Sequence, residues 1–199
     1  MRYTKTCLLL SFCLGLVSWG FSQHLVNQVQ LSIDQGAQMN ISGSLHNQGG
    51  EIHNAGLLGV SGDVTNSDGG KVTTTATSTL VFEGSSVQDL TGVDSLHALA
   101  LEGGAQVLLG QPLVLTDALN LTDGKLFLAE HDLRLADGAS LTAGGAQGYV
   151  VTNGSGRLLQ PVGSSPVSFP VGLDGAYLPV VLTNSGIADE LGVRLRDRK

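Results

Sequence analysis

Beyond position 13 this chain of 199 residues holds no cysteine. Disulfides, thiolate metal sites and cysteine nucleophiles are excluded from everything that follows. Charge is equally scarce: 14% of residues are charged, against an ordinary content of about 25%. Within residues 23–193 the only basic side chains are Lys71, Lys125, Arg134 and Arg157. A body so poor in cations cannot neutralise a row of phosphates, so nucleic acid is not an expected partner. No charged heptads support a coiled coil. Aromatics make up 5% of the chain, and no proline occurs in residues 23–111. Glycine, by contrast, is abundant at 28 residues, and after position 22 no glycine-free run exceeds 13 residues. Long helices have little room between such breaks. The hydrophobic content of 42% still suffices for a core, which argues against disorder.

The N-terminus has the layout of an export signal. Arg2 and Lys5 precede a mostly apolar stretch, residues 7–19, and Gly20 and Ser22 occupy the −3 and −1 positions before Gln23. The apolar stretch is too short to span a ~30 Å membrane core. A lipid-attachment box around Cys13 is disfavoured by Phe12, where a small residue is expected. Residues 1–22 therefore read as a cleaved signal peptide. The expected location is secreted or cell-surface, periplasmic without further sorting, with no membrane span after cleavage. Both cysteines leave with the signal. Eight basic residues then face 17 acidic ones, a formal charge of −9, and four of the eight are Arg194, Arg196, Arg198 and Lys199.

Over residues 99–135 apolar residues come in couples with one residue between: Leu99/Leu101, Val107/Leu109, Leu113/Leu115, Leu119/Leu121, Leu126/Leu128 and Leu133/Leu135. Period 2 marks short strands with one buried face. A longer register overlies it. Ile41, Val60, Phe82, Leu101, Leu121 and Leu141 are separated by 19, 22, 19, 20 and 20 residues. Three short strands per period of about 20 residues predict an all-β chain folded as a parallel β-solenoid over residues 23–145. Six coils at ~4.8 Å would stand roughly 29 Å tall. The alternative is a β-sandwich, which shares short alternating strands and frequent turns.

Asn47, Asn54 and Asn66 each follow an apolar-x pair and precede glycine by two or three places, which suits solenoid corners. Pro112, Pro161, Pro166, Pro170 and Pro179 all fall in the later part of the chain. Proline lacks the N–H that a stacked ladder needs. With Gly144, Gly145 and Gly148 it places the end of the regular solenoid near residue 145. Residues 146–199 are then expected to form antiparallel strands that cap the open end.

The segments Gly62-Asp63-Val64-Thr65-Asn66, Leu80-Val81-Phe82-Glu83-Gly84, Tyr149-Val150-Val151-Thr152-Asn153-Gly154 and Phe169-Pro170-Val171-Gly172 resemble recurring pieces of large secreted surface proteins of Bacteroidetes-type bacteria. The resemblance implies a β-solenoid stalk or adhesin-like protein of the type IX secretion cargo kind, with cell-surface or extracellular glycans or proteins as partners. That family commonly ends in a sorting domain. Here the chain stops at Lys199 just after a predicted strand, and the expectation is a truncated product. Asp94-Ser95-Leu96 resembles the short O-glycosylation motif of the same bacteria, with Ser95 as the acceptor.

The search for chemistry assigns no catalytic, cofactor-binding or metal-ligating residue. His46 and His53, with Glu51, lie one strand-plus-bend apart and suggest a metal site, but each sits beside a corner Asn, which favours plain solvent exposure. Glu130/Asp132 and Asp123/Asp137 are the pairs that a glycoside-cleaving site would use; they are the basis of the alternative function, a carbohydrate-active solenoid enzyme. No Gly-x-Ser-x-Gly elbow or phosphate loop is present. The threonines of residues 73–79 occur as one run rather than once per coil, so a single polar edge accounts for them better than a repeating ice-binding face. The favoured function is an exported structural or adhesin-like module, not an enzyme and without cofactors.

Overall fold

Short apolar couples broken by glycine leave the chain one economical way to bury its alternate side chains: coil upon coil. The computed structural model describes residues 23–196 and shows this arrangement; the expected signal peptide lies outside the described residues. The first coil is β1 (His24–Asn27), β2 (Gln30–Ile33) and β3 (Gln38–Ile41). The second is β4 (Ser44–Gln48), β5 (Glu51–Asn54) and β6 (Leu57–Val60). The third is β7 (Val64–Ser67), β8 (Lys71–Thr74) and β9 (Thr79–Phe82). In the next two coils the second and third strands fuse, giving β10 (Val87–Thr91) with β11 (Ser95–Leu101), and β12 (Ala105–Leu109) with β13 (Leu113–Leu121). They separate again as β14 (Gly124–Phe127), β15 (Leu133–Leu135) and β16 (Ser140–Ala143). β17 (Tyr149–Val151) and β18 (Leu158–Val162) make a seventh turn. The chain then runs through β19 (Val167–Phe169), β20 (Val171–Leu173), β21 (Ala176–Tyr177), β22 (Val180–Leu182) and β23 (Asp189–Val193).

The first face is the parallel ladder β1-β4-β7-β10-β12-β14-β17-β20, closed by β21. β2-β5-β8 begin the second face, and β3-β6-β9-β11-β13 run up the third. β13 then splits, its residues 113–115 pairing β15 and its residues 118–121 pairing β16. The parallel β-solenoid of roughly 20-residue coils is thus present, and the sandwich is not. Every apolar couple of residues 99–135 is buried at 2% exposure or less. One inward column runs Met39, Leu58, Leu80, Leu99, Leu119, Leu141 in strict register.

The expected column is right from Ile41 through Val60 and Phe82 to Leu101, but its last step is off by two. Ala143, not Leu141, stands over Leu121. A slip of two preserves the inward side, since side chains alternate with period 2, so the core is unaffected.

Parallel stacking also runs past the expected junction at residue 145. β17 pairs β14 and β20 in parallel, and β18 pairs β15 in parallel. Antiparallel pairing enters near the C-terminus, where β23 lies on β18, β22 on β19 and β21 on β20. The prolines explain why the change comes so late. Pro161 sits in β18 just past the residues paired with β15, where that ladder ends, and Pro170 falls between β19 and β20, ahead of the residues paired with β17, so neither interrupts a parallel ladder from within.

The corner between the first and second faces carries a side-chain spine. Asn27 Nδ2 donates to Asn47 Oδ1 at 2.7 Å, and Asn47 Nδ2 to Asn66 Oδ1 at 2.6 Å. Asn66 donates to the Gly92 carbonyl at 2.8 Å, and the Gly92 N–H to Gln111 Oε1 at 2.9 Å. Gly92 has φ +79°, and a Cβ there would lie 1.8 Å from the Asn66 carbonyl oxygen, so only glycine fits that step. Asn54 belongs to a different corner, where its Oδ1 accepts the Gly56 N–H at 3.0 Å.

Asn47 is the middle rung and is 1% exposed. Asn47→Ala would remove the side-chain partners of Asn27 Nδ2 and Asn66 Oδ1 and one of the two donors to the Gly50 carbonyl. The expected loss is about 2–3 kcal/mol of stability, read as the shift in the urea midpoint at unchanged slope.

Candidate functional site

The same corner opens into a polar cleft in the C-terminal half. It has a volume of about 480 Å³ and is lined by Pro112, Glu130, Asp132, Ser155, Arg157 and Arg194. Three successive corners and one returning strand supply these residues. Pro112 precedes β13, Glu130 and Asp132 precede β15, Ser155 and Arg157 precede β18, and Arg194 follows β23.

Arg157 Nη2 meets Asp132 Oδ2 at 2.6 Å, while the Arg157 N–H donates to Asp132 Oδ1 at 2.8 Å. The Ser155 hydroxyl donates to Glu130 Oε2, and its N–H reaches the same oxygen at 3.3 Å. Hydrogen bonds from Arg157 hold the Asp132 carboxyl below the usual aspartate range, and the same bonds raise the Arg157 guanidinium further. Hydrogen bonds from Ser155 hold the Glu130 carboxyl down likewise. Arg194 Nη1 donates to the Ser155 carbonyl at 3.2 Å. Arg134 pairs with Glu190 of β23, and the Leu195 N–H donates to Thr152 Oγ1 at 3.0 Å. The network therefore fastens the returning strand to the last two full coils as well as lining the cleft.

Ala129 enters this cleft at φ +49°, a left-handed conformation that costs an alanine about 1–2 kcal/mol. It turns the chain so that the Ala129 carbonyl accepts the Gly156 N–H at 2.9 Å.

A second cleft of about 450 Å³ lies further toward the N-terminus on the same corner, between Lys71 and Asp94 and reaching Gln111. It opens because the ladder of the second face stops at β8. In the next coil only Gly92, Val93 and Asp94 separate β10 from β11, so no separate second-face strand covers β8. The Lys71 N–H bonds back to the Gly50 carbonyl, so alternation turns the peptide groups of Val72 and Thr74 toward the opening.

Of the pairs singled out in the sequence, Glu130 and Asp132 share one cleft. Asp123 and Asp137 do not, since one turns between β13 and β14 and the other between β15 and β16. His46 stands on the first face and His53 on the second, so with Glu51 they do not converge. His46 instead meets His24 of the preceding coil, Nε2 to Nδ1 at 3.3 Å. No group of three or more His, Cys, Asp or Glu suited to a metal exists among the described residues. Ser95 is exposed at the start of β11. The threonine run wraps a corner from β8 to β9 rather than lying on one face. Sequence reasoning found the two carboxylates of the cleft but missed Ser155, Arg157 and Arg194. Arg157 stands 25 residues from Asp132, one long coil away, and that coil length was the missing signal.

No family model, curated protein or solved structure was found to match this chain. Among the described residues no helix is long and apolar enough to cross a membrane.

Two outcomes follow from this geometry. Because the Asp132 carboxyl is held below its usual value near 3.9, its contribution is fully present above that value and fades as pH falls through the lower native one. The melting temperature of Asp132→Asn should therefore lie below that of the parent at neutral pH, and the two should converge in strong acid. Ala129→Gly should gain about 0.5–1 kcal/mol, visible as a higher denaturant midpoint.

Proposed function

We propose that this chain is an exported structural or adhesin-like module that offers the faces of a rigid β-solenoid to extracellular glycans or proteins, and that it performs no catalysis. Residues 1–22 direct it out of the cell, and it acts at the surface or in the surrounding medium. The resemblance to secreted solenoid proteins of Bacteroidetes-type bacteria fits this reading. The observation that carries it is the state of the pair Glu130 and Asp132, which of the two pairs singled out in the sequence is the one sharing a cleft. Glu130 and Asp132 are each tied in the ionised form, to Ser155 and Arg157. A glycoside-cleaving pair needs one carboxyl raised enough to donate a proton, and here both are lowered.

The enzyme alternative keeps one supporting observation. Arg157 and Arg194 bring cations to the carboxylates in a polar cleft, which suits an acidic sugar.

Exported full-length protein should begin at Gln23 on N-terminal sequencing and bind to glycan-coated or cell-derived surfaces without releasing new sugar ends. Cleavage of a polysaccharide that is abolished by Asp132→Asn would overturn the non-catalytic reading in favour of the enzyme.

A further inference from the structure

After position 22 the chain has five aromatic residues. Phe82 and Phe169 are fully buried in the core. The other three, Phe127, Tyr149 and Tyr177, belong to the opposite side of the first-face strands. The register fixes this. Leu126 and Val150 point inward as members of the core, so Phe127, Tyr149 and Val151 point outward. Two outward columns result. One is Val87, Gln106, Lys125, Tyr149, and the other is Asp89, Leu108, Phe127, Val151, Gly172.

These columns form a built surface. Tyr177 stands opposite Gly172, and the Tyr149 ring leans over Gly172, where a Cβ would lie 2.4 Å from the ring. The two tyrosine rings are 5.5 Å apart, and Tyr149 is locked by its hydroxyl donating to the Leu173 carbonyl at 2.9 Å. Lys125 Nζ rests 5.2 Å from the Tyr149 ring centre. Tyr149 is thus buried and immobilised, Val151 and Gly172 are buried beside it, and Phe127, Leu108 and, at the far edge, Tyr177 keep part of their surface open to solvent. On the first three coils the same face presents residues such as His46, Gln48, Thr65 and Ser67, so the aromatic strip is confined to the C-terminal half.

Its size selects among occupants. From Leu108 to Phe127 is one ladder step of about 5 Å, and two columns are about 7 Å apart, which gives an open patch of roughly 5 by 7 Å. A protein partner, or a second copy of this chain, needs about 800 Å² on each side, several times what the strip offers. A pyranose ring fits. It has a flat C–H face for an aromatic ring and a rim of hydroxyls, and here an apolar column lies beside hydrogen-bonding groups on Gln106, Lys125 and Asp89.

We infer that the patch formed by Phe127 and Leu108 is a glycan-binding platform on which a pyranose ring stacks, with Gln106 and Lys125 engaging its hydroxyls. The inference rests on the adhesive reading above and names its surface and its ligand class. Titration calorimetry of the full chain with cellohexaose, chitohexaose and hexagalacturonate tests it, the first two probing neutral rings and the third acidic ones. At least one probe should bind. Phe127→Ala should weaken that binding about tenfold, and Phe127→Tyr should retain it, with circular dichroism unchanged in both. Binding that is indifferent to Phe127→Ala overturns the platform and leaves the adhesive reading standing. Failure of all three probes also overturns it, and adhesion of the same protein to cell-derived surfaces then decides the broader reading separately.

Discussion

A parallel solenoid must turn each corner directly above the one below, and everything else in this molecule depends on that constraint. Strand peptides satisfy one another along the ladders, but a corner cannot extend its ladder and still bend. Its peptide groups need other partners. On the first corner those partners are side chains of neighbouring coils. Asn27, Asn47 and Asn66 pass amide hydrogen bonds upward, Gly92 and Gln111 continue the line with a backbone rung, and Asp132 with Arg157 does the same work higher up with charges. An amide has both a donor and an acceptor, so it can be satisfied from below and above at once. That is why asparagine recurs at one height in each early coil, and why no ordinary apolar residue could replace it there.

The change from amides to ions along this corner marks a change of task. In the early coils the spine joins identical turns. In the last coils it must also hold a strand of opposite direction, since β23 lies antiparallel on β18. Arg134 to Glu190 and Arg194 to the Ser155 carbonyl cross between the coils and that strand. Open ion pairs of this kind contribute little stability singly. Their directionality matters more here, because bonds to named oxygens fix where the returning strand settles. The strained Ala129 and the ionised Glu130 both belong to this junction, so the cleft that Glu130 lines is a by-product of fastening as much as a pocket.

The fold was largely legible because its signal is repeated. Each coil reports the same alternation, so one misplaced step, Leu141 read for Ala143, costs nothing: period 2 keeps the inward set intact. Single events were harder to read. The short link of Gly92, Val93 and Asp94 between β10 and β11 leaves β8 uncovered and opens the second cleft, and the 25-residue step from Leu133 to Leu158 brings Arg157 to Asp132. A search for a constant period smooths over these departures. The junction expected near residue 145 was misjudged for a related reason. Proline interrupts a ladder only from within, and Pro161 and Pro170 fall at the ends of parallel pairings.

Core residues of a solenoid are fixed by stacking, which leaves the outward parity of every strand free to vary. Outward positions therefore carry whatever is particular to this chain. Phe127 shows how such a residue hides in a sequence. It stands between Leu126 and Leu128, both fully buried, and in a run of hydrophobic residues it reads as core. Only the parity set by its neighbours turns it to the surface, next to Leu108 of the preceding coil. Tyr149, also at outward parity, is buried by packing over Gly172 and bonding to the Leu173 carbonyl, whereas Phe127 keeps an open edge. The inward half of the alternation builds the rod, and the outward half is where recognition has room to act.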